Sequence, residues 1–409
     1  MRHKDHHVEQ PLQCIEHLRN AETAARSGTA VALPKNPHRQ LWLAYGDAIA
    51  GASPFSRIGG THRYWKRAVA ASLLILVAAR LPQPDFAPYQ APMPTFDGSL
   101  SVLTYNVKGL PWPVAQGRPA ALERIGNQLR ALHVAGKAPH VVVLQEAFTA
   151  EAQAIGVAAG YGYIAQGPTA GDVRSPGMSE DDEAYAADAR WWSGETEGKF
   201  VGSGLQVLSS YPVVAVYRMA FPAFACAGFD CLANKGALLV RIAIPDAPTP
   251  VDVLTTHLNS RRASRVSDSR SIYAYQRQVT ELTRFVRRVH DPRLPLIAAG
   301  DFNVGMALPR RTALLGAVRR EWLPGRMVRN ALDELAGQHG ALEPDAAHAW
   351  QRARDWQFYA DGTDGRLTLT GVDVPFGRDN AGGMLSDHVG YTARFRLEAA
   401  AIGSARPIK

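Results

Sequence analysis

Residues 297–303 read Ile297-Ala-Ala-Gly-Asp301-Phe-Asn303, an apolar run that stops at an acid and an amide. Other stretches end the same way. Leu103-Thr-Tyr-Asn106-Val stops at an amide, Val141-Val-Val-Leu-Gln-Glu146 at an acid, and Val253-Leu-Thr-Thr-His257-Leu-Asn259 at an imidazole. Ser386-Asp387-His388 adds an acid and a second imidazole. A strand that crosses a core and finishes on an uncompensated Glu, His or Asp is unfavourable unless those groups meet one another, a metal or a ligand. Repetition of this ending implies that distant strand termini converge on one polar site.

Working outward, short β-rich runs alternate with amphipathic stretches from Leu100 onward. Strands are expected at Ser99–Asn106, His140–Gln145, Gly204–Leu208, Ala237–Ile244, Val251–Thr256 and Pro295–Ala299. Helices are expected at Pro119–Leu132, which opens on a proline suited to a first turn, and at Ser271–Val289. The second repeats apolar residues from Ile272 and Tyr275 to Val286 and Val289 at helical spacing. Residues 167–199 are polar, Gly-rich and acidic in the middle, and read as a long surface loop. Either its Trp191 and Trp192 touch a lipid or substrate or, the reading preferred, one of them packs the loop down.

The 409 residues are 46% hydrophobic and 20% charged, an ordinary globular composition. The net charge of +8 is unevenly placed. Residues 1–94 carry 11 Lys and Arg against 6 Asp and Glu, leaving 34 against 31 in residues 95–409. The part that carries the strand-end residues is nearly neutral, which argues mildly against nucleic acid as the main substrate.

Residues 63–80 place a basic flank before the apolar run Ala68–Ala79, too short for a comfortable span and similar to the apolar part of a secretory signal. Its position inside the chain leaves three readings: a start site near Arg63, an anchor, or a short buried helix. Export is favoured, giving a secreted, periplasmic or membrane-anchored protein. Residues 1–62 then form an N-terminal extension, 81–97 a Pro-rich linker, 98–397 the catalytic domain and 398–409 a tail. Cys14, Cys226 and Cys231 have no zinc-site spacing. Cys226 and Cys231 either pair in an oxidising compartment or remain separate thiols.

The residue types suit one chemistry. Phosphodiester hydrolysis needs a cation to neutralise charge on phosphate oxygens, and a hard cation wants oxygen ligands such as Glu146 and Asn106. It also needs a base near neutral pH, which a histidine held by a carboxylate supplies. No Ser or Cys nucleophile motif is present, so activated water is expected to attack. His133, His140, His290 and His348 match no motif and read as structural or surface residues.

In this order, from about Leu100 to Arg396, these segments resemble the endonuclease/exonuclease/phosphatase superfamily. The resemblance implies an α/β fold, a four-layer α-β-β-α sandwich of two packed mixed sheets. It implies Glu146 as principal ligand of Mg²⁺ or Mn²⁺, assisted by Asn106, with Asp387 on the metal or water side. It implies His388 as general base and His257 as a group stabilising charge on the phosphate. Asp301 would orient water or assist the leaving group, and Asn303 would bind a phosphate oxygen. Arg354-Asp355-Trp-Gln-Phe-Tyr matches the family's acid that holds the base histidine, making Asp355 the candidate.

Two elements resemble the sphingomyelinase-like branch. Asn106-Val-Lys-Gly-Leu-Pro-Trp-Pro113 is similar to its NVWGLP segment, with Lys108 where an aromatic is common. Cys231-Leu-Ala-Asn-Lys235-Gly236 is similar to its Lys-Gly element, so Lys235 either reaches a phosphate or is a surface lysine opening a strand. Phe221–Phe229 either contacts a membrane or packs over a sheet edge. The expected function is metal-dependent hydrolysis of a phosphodiester in a phospholipid such as sphingomyelin, by a monomer. The alternatives are an exported nuclease and a non-catalytic binding protein on the same scaffold.

Overall fold

The computed structural model describes residues 90–378 and 383–400. Residues 1–62, the segment 63–80, and residues 81–89 and 401–409 lie outside that range, and with them Cys14 and the expected export signal. Among the described residues no helix is long and apolar enough to cross a membrane.

The strands in chain order are β1 (Ser99–Asn106), β2 (Val141–Gln145), β3 (Tyr163–Gln166), β4 (Gln206–Ser209), β5 (Val213–Ala220), β6 (Gly236–Ile242), β7 (Val251–Thr256), β8 (Leu296–Asp301), β9 (Arg329–Asn330), β10 (Asp355–Ala360), β11 (Gly365–Phe376) and β12 (Gly390–Ala399). One sheet has the order β11-β12-β1-β2-β4-β3 and the other β5-β6-β7-β8-β10-β9. The pairs β1–β2 and β7–β8 are parallel and their remaining neighbours antiparallel, so both sheets are mixed, as expected.

Period-2 alternation explains the layering. In β1, Leu103 and Tyr105 join Leu122, Ile125 and Leu129 of α1 (Arg118–Val134) on the outer face. Leu100 and Val102 instead meet Val253 and Ile297 of the other sheet. In β8, Ile297 and Ala299 take part in that inter-sheet core, while Leu296 and Ala298 face the helical side. The helices there are α3 (Asp268–Val289) and α4 (Leu308–Ala317), preceded in the chain by α2 (Glu180–Ala187) and followed by α5 (Ala331–His339) and α6 (Pro344–Arg352). Helix α3 starts where Ser267 accepts from the Arg270 N–H, and it buries Tyr275, Leu282, Phe285 and Val286 against the sheet. Burying each such side chain is worth about 1.5–3 kcal/mol before entropy is counted.

Two local expectations change, and the open alternative for residues 221–229 falls to packing. The stretch 167–199 is not a plain loop: Ser179 and Asp182 form a capping box that starts α2, whose Asp182 is anchored by Tyr273 and Arg277. Trp191 and Trp192 do not pack that stretch down; they are 67% and 59% exposed. The segment 221–229 is mostly core, with Phe221, Ala225 and Ala227 buried and Phe229 the exposed exception. Cys226 and Cys231 are joined by a disulfide, with Cα atoms 5.1 Å apart.

Candidate active site

Strand register brings the motifs together. Asn106 is paired with Gln145 across the parallel β1–β2 ladder, which sets Glu146 beside it. His257 and Asp301 face each other in a parallel bridge just past β7 and β8. Asp355 opens β10 directly opposite Asp301. His388 precedes β12, the antiparallel neighbour of β1. At Gly300, an added Cβ would lie 2.4 Å from the Thr256 carbonyl oxygen, so only glycine allows β8 to approach β7 this closely at the site. Glu146 and Asn303 have φ of 57° and 46°, left-handed values that turn the chain sharply away from the strand ends.

The cluster is nearly sealed. Asn106, His257, Asp301, Asp355 and His388 are all buried, and the Glu146 side chain, 18% exposed, is the most open acid among them. The Asn106 Nδ2 donates to Glu146 Oε1 at 3.0 Å and to Asp301 Oδ2 at 3.1 Å. Its Oδ1 accepts from the Lys108 N–H. His257 Nε2 lies 3.5 Å from Asp301 Oδ2 and 4.0 Å from Glu146 Oε1. His388 is held by Asp355, whose Oδ2 and Oδ1 lie 2.7 and 2.9 Å from Nδ1, leaving Nε2 3.8 Å from Asp301.

Electrostatics separates the two imidazoles. Burial, reinforced by Lys235, pushes His257 down to about 4, so it is neutral at physiological pH. Burial opposes charge at His388 too, but Asp355 and Asp301 overcome it and raise that ring to about 9. Burial also lifts Glu146 above the usual carboxylate range. Asp301 is held below that range, burial notwithstanding, by His388 and His257 on either side.

Glu146, His257 and Asp301 bring ligand atoms within 4.8 Å of one another, as do Asp301, Asp355 and His388. Two buried carboxylates converging on a single neutral amide suit a hard cation with oxygen ligands. Asp387 is the site residue that stands apart. The local alternation turns Ser386 inward onto the Asn106 carbonyl and His388 inward onto Asp355, so Asp387 points out. Its carboxylate, 55% exposed, lies 3.6 Å from Lys108 Nζ and joins neither cluster. Asp301, rather than Asp387, is the acid placed beside Glu146. Asn303 lies at the edge, its Nδ2 donating to the Leu258 carbonyl.

Lys235 is no surface lysine. It is buried, with Nζ 3.2 Å from His257 Nε2, 3.0 Å from the Leu258 carbonyl and 2.8 Å from Asp230. Asp230 is a residue the strand-end pattern missed. It also accepts from Asn259 and from the Ser260 N–H, tying the disulfide loop to the chain after His257. The available signal was an acid inside the short loop Cys226–Cys231. Asp230→Asn is expected to leave Lys235 buried without its counter-ion and to lower turnover about 10- to 100-fold. Steady-state kinetics of a folded variant checks this, and unchanged kcat would mean that Asp230 is only structural.

An α-β-β-α sandwich with acids, amides and imidazoles gathered at the ends of its central strands is the class this structure defines. The chain belongs to the endonuclease/exonuclease/phosphatase family, whose sequence model matches residues 103–402, as the ordered motifs imply. No curated protein matches the chain in sequence. Among solved structures it is similar to sphingomyelinase C from Streptomyces griseocarneus, at 19% identity over 74% of this chain and 99% of that one, with a TM-score of 0.46. It is also similar to a beta toxin from Staphylococcus aureus with bound magnesium ions, at 18% identity over 72% and 99% of the two chains and a TM-score of 0.48. A third is D. rerio TDP2 complexed with a single-strand DNA product, at 16% identity over 73% and 99% and a TM-score of 0.46.

Proposed function

We propose that the protein hydrolyses a phosphodiester in a phospholipid, with sphingomyelin as the reference substrate, using water activated by His388. The observation that carries this reading is the Asp355–His388–Asp301 line next to Glu146. One ring nitrogen is fixed by a carboxylate, and the other faces an acid-rich pocket, where it can take a proton once a bound cation has offset those acids.

Glu146 and Asp301 would hold Mg²⁺ or Mn²⁺, with Asn106 joining if its amide turns its oxygen inward. Bound there, the cation would neutralise charge on the phosphate and offset the carboxylates that raise His388. The chain does the rest. His388 Nε2 removes the proton from the attacking water, and Asp355 stabilises the imidazolium that results. Lys235, held against His257 Nε2, presents its charge, and the remaining amide hydrogen of Asn303 offers a donor to phosphoryl oxygens. Asp387 stands at the mouth beside Lys108, outside the metal set.

Two features favour a lipid. Exposed Phe229 is the neighbour of Asp230, and Gly194, which closes the turn Trp191–Ser193, lies against it, so this part of the chain presents exposed Phe229 together with a turn carrying exposed Trp191 and Trp192. The described domain is also close to neutral. The Cys226–Cys231 disulfide favours an oxidising compartment, in keeping with export.

The test is a panel of sphingomyelin, other phospholipids and DNA with Mg²⁺, Mn²⁺ or chelator. Lipid hydrolysis that stops on chelation is the expected result. Intact lipids with nicked plasmid DNA would establish the nuclease reading instead.

A further inference from the structure

A cavity of about 530 Å³ opens beside Asn303. Its walls are the single turn Arg261–Ser264, the chain after β8, the start of α4 and the turn between α6 and β10. Five arginines line it, at 261, 262, 310, 352 and 354, against one acid, Asp268. That acid is already taken by Arg261, at 2.6 and 2.5 Å. Arg310 is buried and donates only to neutral groups: the Asn259 and Asn303 carbonyls and Ser271. Arg352 reaches the Asp387 carbonyl, next to the catalytic His388. Arg262 and Arg354 form no ion pair among the described residues. In an otherwise near-neutral domain, this concentrates uncompensated positive charge in one concave place.

The cavity adjoins the catalytic cluster through Asn303. Asn303 lines it while its own N–H donates to Asp301 Oδ1. A phosphodiester held at His257 and Lys235 would therefore place an adjoining part of the substrate among these guanidinium groups. We propose that the cavity is a subsite for a second phosphate, carried on the headgroup of the phospholipid substrate. This rests on the phosphodiesterase reading above and narrows it to a lipid with a phosphorylated headgroup, in place of sphingomyelin. A trimethylammonium headgroup would find no aromatic ring and no free carboxylate in the lining, and four unpaired arginines would repel it. A phosphate would find planar donors that match its geometry. The rim suits a lipid-borne group: Met306 lines the mouth at 73% exposed, and Leu308 beside it is equally exposed.

The experiment has a binding arm and a kinetic arm. In calorimetry without metal, inositol trisphosphate should bind the wild-type protein, and about tenfold more weakly in each of Arg262→Gln and Arg354→Gln. Arg262→Lys and Arg354→Lys should recover most of the loss. Equal binding to wild type and Gln variants overturns the proposal. In the kinetic arm, vesicles of phosphatidylinositol bisphosphate should be hydrolysed at least about tenfold more efficiently than sphingomyelin vesicles. The Gln variants should lose that preference when referred to bis(p-nitrophenyl) phosphate in the same preparation. Preference for sphingomyelin, or faster cleavage of an oligonucleotide than of either lipid, also overturns the proposal. Arginine-dependent binding in a protein that cleaves no diester would uphold the subsite and fault the catalytic reading alone.

Discussion

His388→Ala is expected to lower phosphodiester hydrolysis by at least about a thousandfold, near the upper range for loss of a general base. The ring is buried and oriented by two contacts to Asp355, so another group can take its place only with rearrangement. The substitution leaves Asp355 buried and unpaired, which itself destabilises the fold. Asp355→Asn separates the two effects because it keeps the shape and removes the charge. The carboxylate is the leading group that raises His388, so the Asn variant should titrate below the wild type. Its activity should begin to rise at lower pH, though to a lower plateau. A pH–rate profile checks both points. A loss of less than tenfold in His388→Ala, or an unmoved acidic limb in Asp355→Asn, would remove His388 from the role of base.

Glu146→Gln is expected to weaken divalent-cation binding by about a hundredfold, because it deletes a charge from a site that holds few oxygen ligands. The proton competes with the cation for the same carboxylate. Burial lifts Glu146 above the usual range, so cation affinity in the wild type should begin to fall at a higher pH than an exposed glutamate would allow. The same shift governs the metal-free fold. A raised acid contributes stability that is fully present below its unfolded pKa and is lost as pH rises through its folded value. Metal-free wild-type protein should therefore gain thermal stability on mild acidification through that window, and Glu146→Gln should lack this gain. Calorimetry with Mg²⁺ and melting curves across pH measure the two effects. Unaltered Mg²⁺ affinity in the Gln variant would place the cation elsewhere.

The strands that carry the site were legible because they are apolar on both faces. Strands β1, β2, β7 and β8 lie between a helix layer and a second sheet, so β2 and β8 read as near-continuous Val, Ile, Leu and Ala runs, while β1 and β7 keep shorter apolar centres at Val102-Leu103 and Val253-Leu254. Strands β3, β5, β9 and β11 were not read. In β11 exposed Arg366, Thr368 and Thr370 alternate with buried Leu367 and Leu369, a weaker signal in a strand at the sheet edge. Strands β10 and β12 were seen only through Asp355 and the Ser-Asp-His motif. The site residues at strand ends were found for the same reason as the strands, an apolar run interrupted by charge. Asp230 belongs to no such run. Its position depends on the loop closed by Cys226 and Cys231, and nothing in local spacing says that this loop folds over Lys235. The turn at 386–388 likewise hides which of its members faces inward, so Asp387 and Asp301 could not be ranked as cation ligands from the motif.

The division of labour between the sheets has a mechanical consequence. Asn106 and Glu146 hang from one layer, His257 and Asp301 from the other, and each layer is internally stiffened by its own ladder. The interdigitated residues between them, such as Val102 against Ile297, act as the hinge pin of a vice. A sub-ångström slip along that seam would pull the jaws out of register without breaking a single backbone bond within either layer. The tightness of that seam would therefore set how faithfully the jaws grip any small charged cargo placed between them.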